Sequence, residues 1–287
     1  MKTEFDLERY LNNSKAIDTS DINWDDVTKY PIDPGEIRCL QYMMDIESYT
    51  IMYLRDLLNT DASKDSEVAS FLACWLYEET YHGLALEKFV RAAGVPVGSQ
   101  RVQKLGEGRR FMESLETIVT LAISKVTRHF VAAHMTWGAI QELTTLSGYS
   151  LLASKTKNPI LATILRRIVL DESRHFSFYY IQAAKRLTNR GAQKLTSLLL
   201  RKFWSPVGAA VKPLDDVQFL MSYIFAGVEG ESAAKRVDRT ISRLPGLGWF
   251  DLLESARAEY LGIQKPWSVV GKQWSGVSGQ GSVISCQ

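Results

Sequence analysis

The sequence is poor in several residue types, and each scarcity removes a class of answer. Only three cysteines occur in 287 residues, Cys39, Cys74 and Cys286. Their spacing forms neither a disulfide framework nor a metal knot, and an odd count suits a reducing compartment. The charge excess is only +2, too small to advertise nucleic-acid binding. No stretch approaches about 18 consecutive apolar residues, so no membrane span is expected. Met1 to Tyr10 is charged and lacks the apolar centre of a secretory signal. Dinucleotide fingerprints are absent too: Gly106-Glu107-Gly108 lacks the third glycine and a preceding strand. A cytoplasmic, soluble, globular chain is the expectation. Histidine is the last scarcity, with four in the chain.

What is present is helical periodicity. Asp33-Pro34-Gly35-Glu36 is a helix start, with Asp33 as cap and Pro34 at the first position. Periodicity then runs to about Leu58. Ser63 or Asp65 can cap a second helix that ends near Gly94. Gly98 to Gly108 is loop-like. A helical pattern covers Phe111 to about Lys155, in one segment or two. Asn158-Pro159 starts another helix, which is expected to stop at Asn189-Arg190-Gly191. Shorter helical patterns follow, broken at Pro206, Pro213 and Pro245. No run of strands is expected. The fold class is all-α: a four-helix bundle with additional helices. The expected division is an N-terminal extension (1–35), the bundle core (36–190), further C-terminal helices (191–266) and a flexible tail (267–287).

Four stripes, spaced alternately three and four residues, define the buried seams. They are Leu40, Met44, Glu47, Ile51, Leu54, Leu58; Leu72, Trp75, Glu79, His82, Leu86, Phe89; Val131, Met135, Gly138, Glu142, Thr145, Tyr149, Leu152; and Leu161, Leu165, Ile168, Glu172, His175, Tyr179. Every seam has a glutamate at its middle. A carboxylate in a low-dielectric core costs several kcal/mol unless it is compensated. Two cations at the centre would compensate all four, and carboxylate and imidazole ligands suit iron or manganese. Two seams hold a lone Glu and two hold Glu-x-x-His, which places both ligands on one helix face. Glu, then Glu-x-x-His, occurs twice, at separations of 32 and 30 residues. This is the dinuclear pattern of ferritin-like bundles. The competing reading is four carboxylates neutralised by Arg or Lys beside two core histidines.

At these residues the chain resembles the soluble acyl-carrier-protein desaturases, over about residues 36–190. Trp75-Leu-Tyr-Glu78-Glu79-Thr-Tyr-His82-Gly83 is similar to that family's Trp-x-x-Glu-Glu-x-x-His-Gly. Asp171-Glu172-Ser-Arg174-His175 is similar to its Asp-Glu-x-Arg-His, and Gln141-Glu142 with Thr145 to its Gln-Glu-x-x-Thr. The resemblance implies six ligands, Glu47, Glu79, His82, Glu142, Glu172 and His175, holding two iron ions, with manganese as the substitute. It also implies that Glu79 and Glu172, or an equivalent pair, bridge the ions. Asp171 would hold a ligand histidine by its second nitrogen. Thr145 either bonds an oxygen species at the metals or bonds back to its own helix. Trp75 and Tyr179 read as core aromatics that also shield the site. One departure is Tyr81, where the family usually carries Arg.

Among di-iron chemistries, the helices after Gly191 point to a covered pocket rather than a storage cage. Leu86 stands where a radical-bearing tyrosine would be, and Ile168 where the arylamine oxygenases carry a third histidine. The expected function is O₂ activation for C–H chemistry, most simply desaturation of an acyl chain held as a carrier-protein thioester. The alternatives are a di-iron oxygenase acting by hydroxylation, N-oxygenation or C–C cleavage on another small substrate, and a ferroxidase or storage bundle. The resemblance implies an external electron donor such as a ferredoxin, and a homodimer. Carrier proteins are acidic, so a basic rim is expected. Its candidates are Lys125, Arg128, Arg166, Arg167, Lys185 and Arg186, with a solvated charged face as the competing reading. His129 and His134 lie off the ligand stripes and read as structural.

Overall fold

The computed structural model describes residues 4–58, 60–98 and 129–263, and every regular element among them is helical. Side-chain caps set the starts. Asp33 accepts from Gly35 and Glu36 at the head of α2 (Pro34–Leu58), after a short α1 (Leu7–Asn13). Asp65 accepts from Glu67 and Val68 to open α3 (Ser66–Ala92), and Gly94 follows its end with φ +82°. Asn158 does the same for α5 (Pro159–Arg186), which follows α4 (Phe130–Lys155). Each such cap satisfies backbone donors that a helix start leaves unpaired.

Four long helices make two antiparallel hairpins, α2 with α3 and α4 with α5. The second and fourth stripes are buried throughout. In the first, Leu40, Met44, Glu47 and Leu54 are buried, but Ile51 and Leu58 are 55% and 49% exposed, and Leu57 takes the inner position. Asn189-Arg190-Gly191 is also corrected. Helix α5 ends earlier, at Arg186, and Asn189 opens α6 (Arg190–Phe203) by accepting from Gly191 and Ala192. Asparagine suits both helix ends, so the residue type alone did not distinguish them.

Three further helices complete the described chain: α7 (Leu214–Ile224), α8 (Gly227–Ile241) and α9 (Leu252–Tyr260). Helices α6 and α8 pack on α4, α7 packs on α2, and α9 rests on α7 and α8. The C-terminal end of α7 is held by charge. Lys155 donates to the carbonyls of Tyr223 and Ile224 at 3.1 and 3.0 Å. Buried Arg257 reaches the carbonyl of Phe225 at 3.4 Å. Cations at a helix C-terminus meet unpaired carbonyls and the negative end of the dipole. No described helix is long and apolar enough to cross a membrane. Lys125, Arg128, Gly106 to Gly108, Cys286 and the expected tail lie outside the described residues.

Candidate metal centre

Glu47 on α2, Glu79 and His82 on α3, Glu142 on α4, and Glu172 and His175 on α5 are all buried. The bundle brings them to one place. Ligand atoms of Glu47, Glu79, His82 and Glu172 lie within 4.8 Å of one another, and so do those of Glu79, Glu142, Glu172 and His175. The two groups share Glu79 and Glu172, the pair with the bridging role in the resemblance. The imidazole centroids are 6.0 Å apart.

The histidine tautomers decide what fits between these groups. His82 Nε2 faces Asp171 Oδ2 at 3.1 Å, and His175 Nε2 faces Glu78 Oε2 at 2.7 Å. Each Nε2 donates to its acid, which leaves Nδ1 of the neutral ring as a lone pair. That lone pair points at carboxylates: His175 Nδ1 is 3.0 Å from Glu79 and 3.5 Å from Glu172, and His82 Nδ1 is 3.5 Å from Glu172. Both Nδ1 atoms, Glu79 Oε1 and both Glu172 oxygens are buried with no hydrogen-bond partner. Acceptors facing acceptors in a dry core need positive charge between them. Two divalent cations match four carboxylates in charge, and the donor set fits a dinuclear iron or manganese centre.

Among the described residues, protons are the substitute for that charge, and the pKa values register the demand. Burial, with neighbouring carboxylates, pushes Glu79 up to about 7, Glu142 up to about 8 and Glu47 well above the carboxylate range. Burial opposes the charged form of His82, but bonds to Asp171 and Glu172 outweigh it and carry it to about 9. Glu172 goes the other way: burial is outweighed by bonds from both histidines, so it stays ionised. A metal that binds here displaces these protons.

Around the ligands stands a second ring of contacts. Asp171, expected from the sequence to hold a ligand histidine, receives His82. Its counterpart on the other side, Glu78, was not singled out. Glu78 accepts from His175, from Arg174 at 2.7 Å and from the Tyr10 hydroxyl at 2.8 Å. Burial would raise its pKa, but these donors hold it at about 2. The available signal was an acid directly before the glutamate of each Glu-x-x-His, Glu78-Glu79 and Asp171-Glu172. Arg174 spans both acids, lying 2.8 Å from Asp171. Tyr81 instead packs on Tyr77. Tyr149, placed on a seam but given no role, donates to Glu47. Burial and the nearby carboxylates keep its phenol protonated.

The four glutamates line one end of a cavity of about 240 Å³. Val207, Val211, the α7 residues Leu220 and Ile224, and Phe225 line it as well. Residues after Gly191 therefore form part of its wall. Thr145 lines this cavity, and the back-bond belongs to its neighbour Thr144, which donates to Ile140. Trp75 and Gln141 also line it, and Trp75 Nε1 and Gln141 Oε1 are buried without partners. Tyr179 fits only because Gly138 has no side chain: a Cβ there would strike its ring. His134 stays on the structural side, accepting from Tyr53 at 2.9 Å, with burial lowering its pKa to about 3.

Of the basic-rim candidates, the described Arg166, Arg167, Lys185 and Arg186 do not line the cavity. Arg167 pairs with Asp21, Arg186 with Asp65, and Lys185 approaches Glu67 at 3.8 Å. These side chains stitch segments of the bundle together, so the solvated-face reading fits them.

A family model described as fatty acid desaturase matches residues 46–202, more than half of the 287-residue chain. No curated protein and no solved structure matches.

Proposed function

The chain belongs to the fatty acid desaturase family, and from that premise we propose that it is a di-iron oxidase that desaturates an acyl chain carried as a carrier-protein thioester. The observation that carries the reading is the pair of buried ligand groups sharing Glu79 and Glu172 at the end of a largely apolar cavity. Bound iron would supply the redox chemistry: O₂, two external electrons and two protons take two hydrogens from adjacent carbons, giving an alkene and two waters.

The chain's own residues supply the rest. Glu47, Glu79, His82, Glu142, Glu172 and His175 hold the ions. Asp171 and Glu78 keep each histidine in the tautomer that offers Nδ1. Trp75 and Tyr179 keep bulk water from the ligands, and the α7 wall aligns the guest. Thr145 is the hydroxyl placed to hydrogen-bond within the cavity. Electrons come from a separate donor such as a ferredoxin, and the unit is a homodimer. Manganese is the alternative metal, separated from iron by elemental analysis.

A second reading, an oxygenase acting on a smaller or more polar substrate, is favoured by two facts. The unpaired Trp75 Nε1 and Gln141 Oε1 suit a guest with a polar group. The 240 Å³ cavity is also smaller than the roughly 300–1,000 Å³ usual for ligand pockets. One experiment separates the readings. Iron-loaded protein is given an acyl-carrier thioester, O₂ and reduced ferredoxin, and the chain is weighed by mass spectrometry. Loss of two hydrogens supports desaturation, gain of one oxygen supports the oxygenase, and an unchanged chain counts against both on that substrate.

A further inference from the structure

Tyr10 lies outside the bundle, on α1, yet it is buried and reaches the outer ring of the metal centre. Its hydroxyl donates to Glu78 Oε2, the same oxygen that His175 Nε2 meets, while Arg174 takes Oε1. The ring is wedged in place: its centroid lies 5.1 Å from Phe71 and 5.6 Å from Phe5, and 6.4 Å edge-on from His175. Glu78 is thus fixed from three directions and fully buried. The other half-site is looser. Asp171 meets His82 at a longer 3.1 Å, has Arg174 as its second partner, and its side chain keeps 13% of its surface exposed. No described tyrosine reaches it.

Resting on the dinuclear reading above, we propose that Tyr10 is a positioning residue that makes the two metal positions unequal. By locking Glu78 it locks the His175 imidazole. The ion among Glu79, Glu142, Glu172 and His175 then binds more tightly than the ion beside His82. The physical basis is that an outer partner fixes a ligand's orientation and raises its basicity, and its loss commonly costs about 10–100-fold in metal affinity. Tyr10→Phe removes the hydroxyl and keeps the ring contacts, so the packing survives.

The test is anaerobic Fe(II) and Co(II) titration of the full chain against a competing chelator. The imidazole N–H resonances of the Co(II) form are followed in parallel. Wild type should bind in two resolved steps. Tyr10→Phe acts one contact further out than the ligand's own partner, so it should weaken the tighter step by up to about tenfold, leave the weaker step within about twofold, and speed solvent exchange of one imidazole N–H. Asp171→Asn should instead weaken the other step. Unchanged isotherms and exchange rates in Tyr10→Phe would overturn the inference, as would equal weakening of both steps. Wild-type protein that takes up fewer than two ions would fail earlier, and would bring down the dinuclear reading itself.

Discussion

Glu47 and Glu142 stand at matching points of the two hairpins, but their surroundings differ. Tyr149, from the opposite hairpin, donates to Glu47, and no described tyrosine donates to Glu142. The helix contacts differ as well. Gly83 of α3 backs onto Ser48 and the Glu47 Cβ, which a new Cβ would meet at 3.1–3.2 Å, a tight but adjustable approach. Gly138 of α4 faces the Tyr179 ring of α5 so closely that a Cβ would overlap it. The same ligand pattern is therefore set in two different packings. The residue types needed for metal binding repeat between the hairpins, while the small and aromatic residues that hold the helices at their separations do not. Ligand chemistry and scaffold rigidity are separate layers of this fold.

Breaking the shared layer should have the largest effect. Glu172 belongs to both ligand groups, so Glu172→Ala should cost more than the 10–100-fold loss of an outer partner. We expect metal content below one ion per chain and no substrate-linked O₂ uptake. Retention of two ions would remove Glu172 from the shared position.

The packing layer comes next. Gly138→Ala should destabilise by about 1–3 kcal/mol through overpacking against Tyr179. Gly83→Ala should cost less, because Ser48 Oγ can shift. Equal losses in urea unfolding would erase the difference drawn between the hairpins. Tyr149→Phe should lower affinity at the Glu47 position by about tenfold and spare the other ion. Chelator competition reads this, and equal loss at both positions would make Tyr149 a general packing residue.

The last test lies outside both hairpins and supplies their baseline. Burial pushes Asp238 up to about 7 from 3.8, although its carboxylate accepts from Leu253 and Glu254 at the start of α9. A raised folded pKa means that the folded state binds the proton more strongly. The contribution of this group is full below about pH 4 and is lost as pH rises through about 7, at up to roughly 1.4 kcal/mol per pH unit. Metal-loaded Asp238→Asn should show a flatter decline in urea midpoint between pH 5 and 7. An unaltered slope would move the pH dependence elsewhere.

The four helices and the six central side chains were legible because their signals are local. Asp33, Asp65 and Asn158 sit directly before the helices they cap, and Glu-x-x-His needs only one helical turn. Glu78 was half legible, since an acid precedes the glutamate of each Glu-x-x-His, but its partner sits on another helix. Tyr10 and Tyr149 were not legible, because their roles exist only once segments 68 and 102 residues away are brought beside them. Asn189 was misread because one residue type serves both helix ends. Ile51 and Leu58 were misread because a stripe marks a helix face but not which neighbours cover each part of it. The basic residues carried a charge but no address, and the fold gave Arg167 and Arg186 internal acids to hold.

The end of α7 has a further consequence. Ile224 and Phe225 line the cavity that the glutamates also line, and their carbonyls accept from Lys155 and Arg257. To recede, that stretch would have to break these hydrogen bonds, at about 1.5–3 kcal/mol for each charged one. Thermal motion does not do this often. On the proposed reading, this wall would meet an acyl chain as a stiff surface, and selection by length would rest on steric exclusion rather than on attraction.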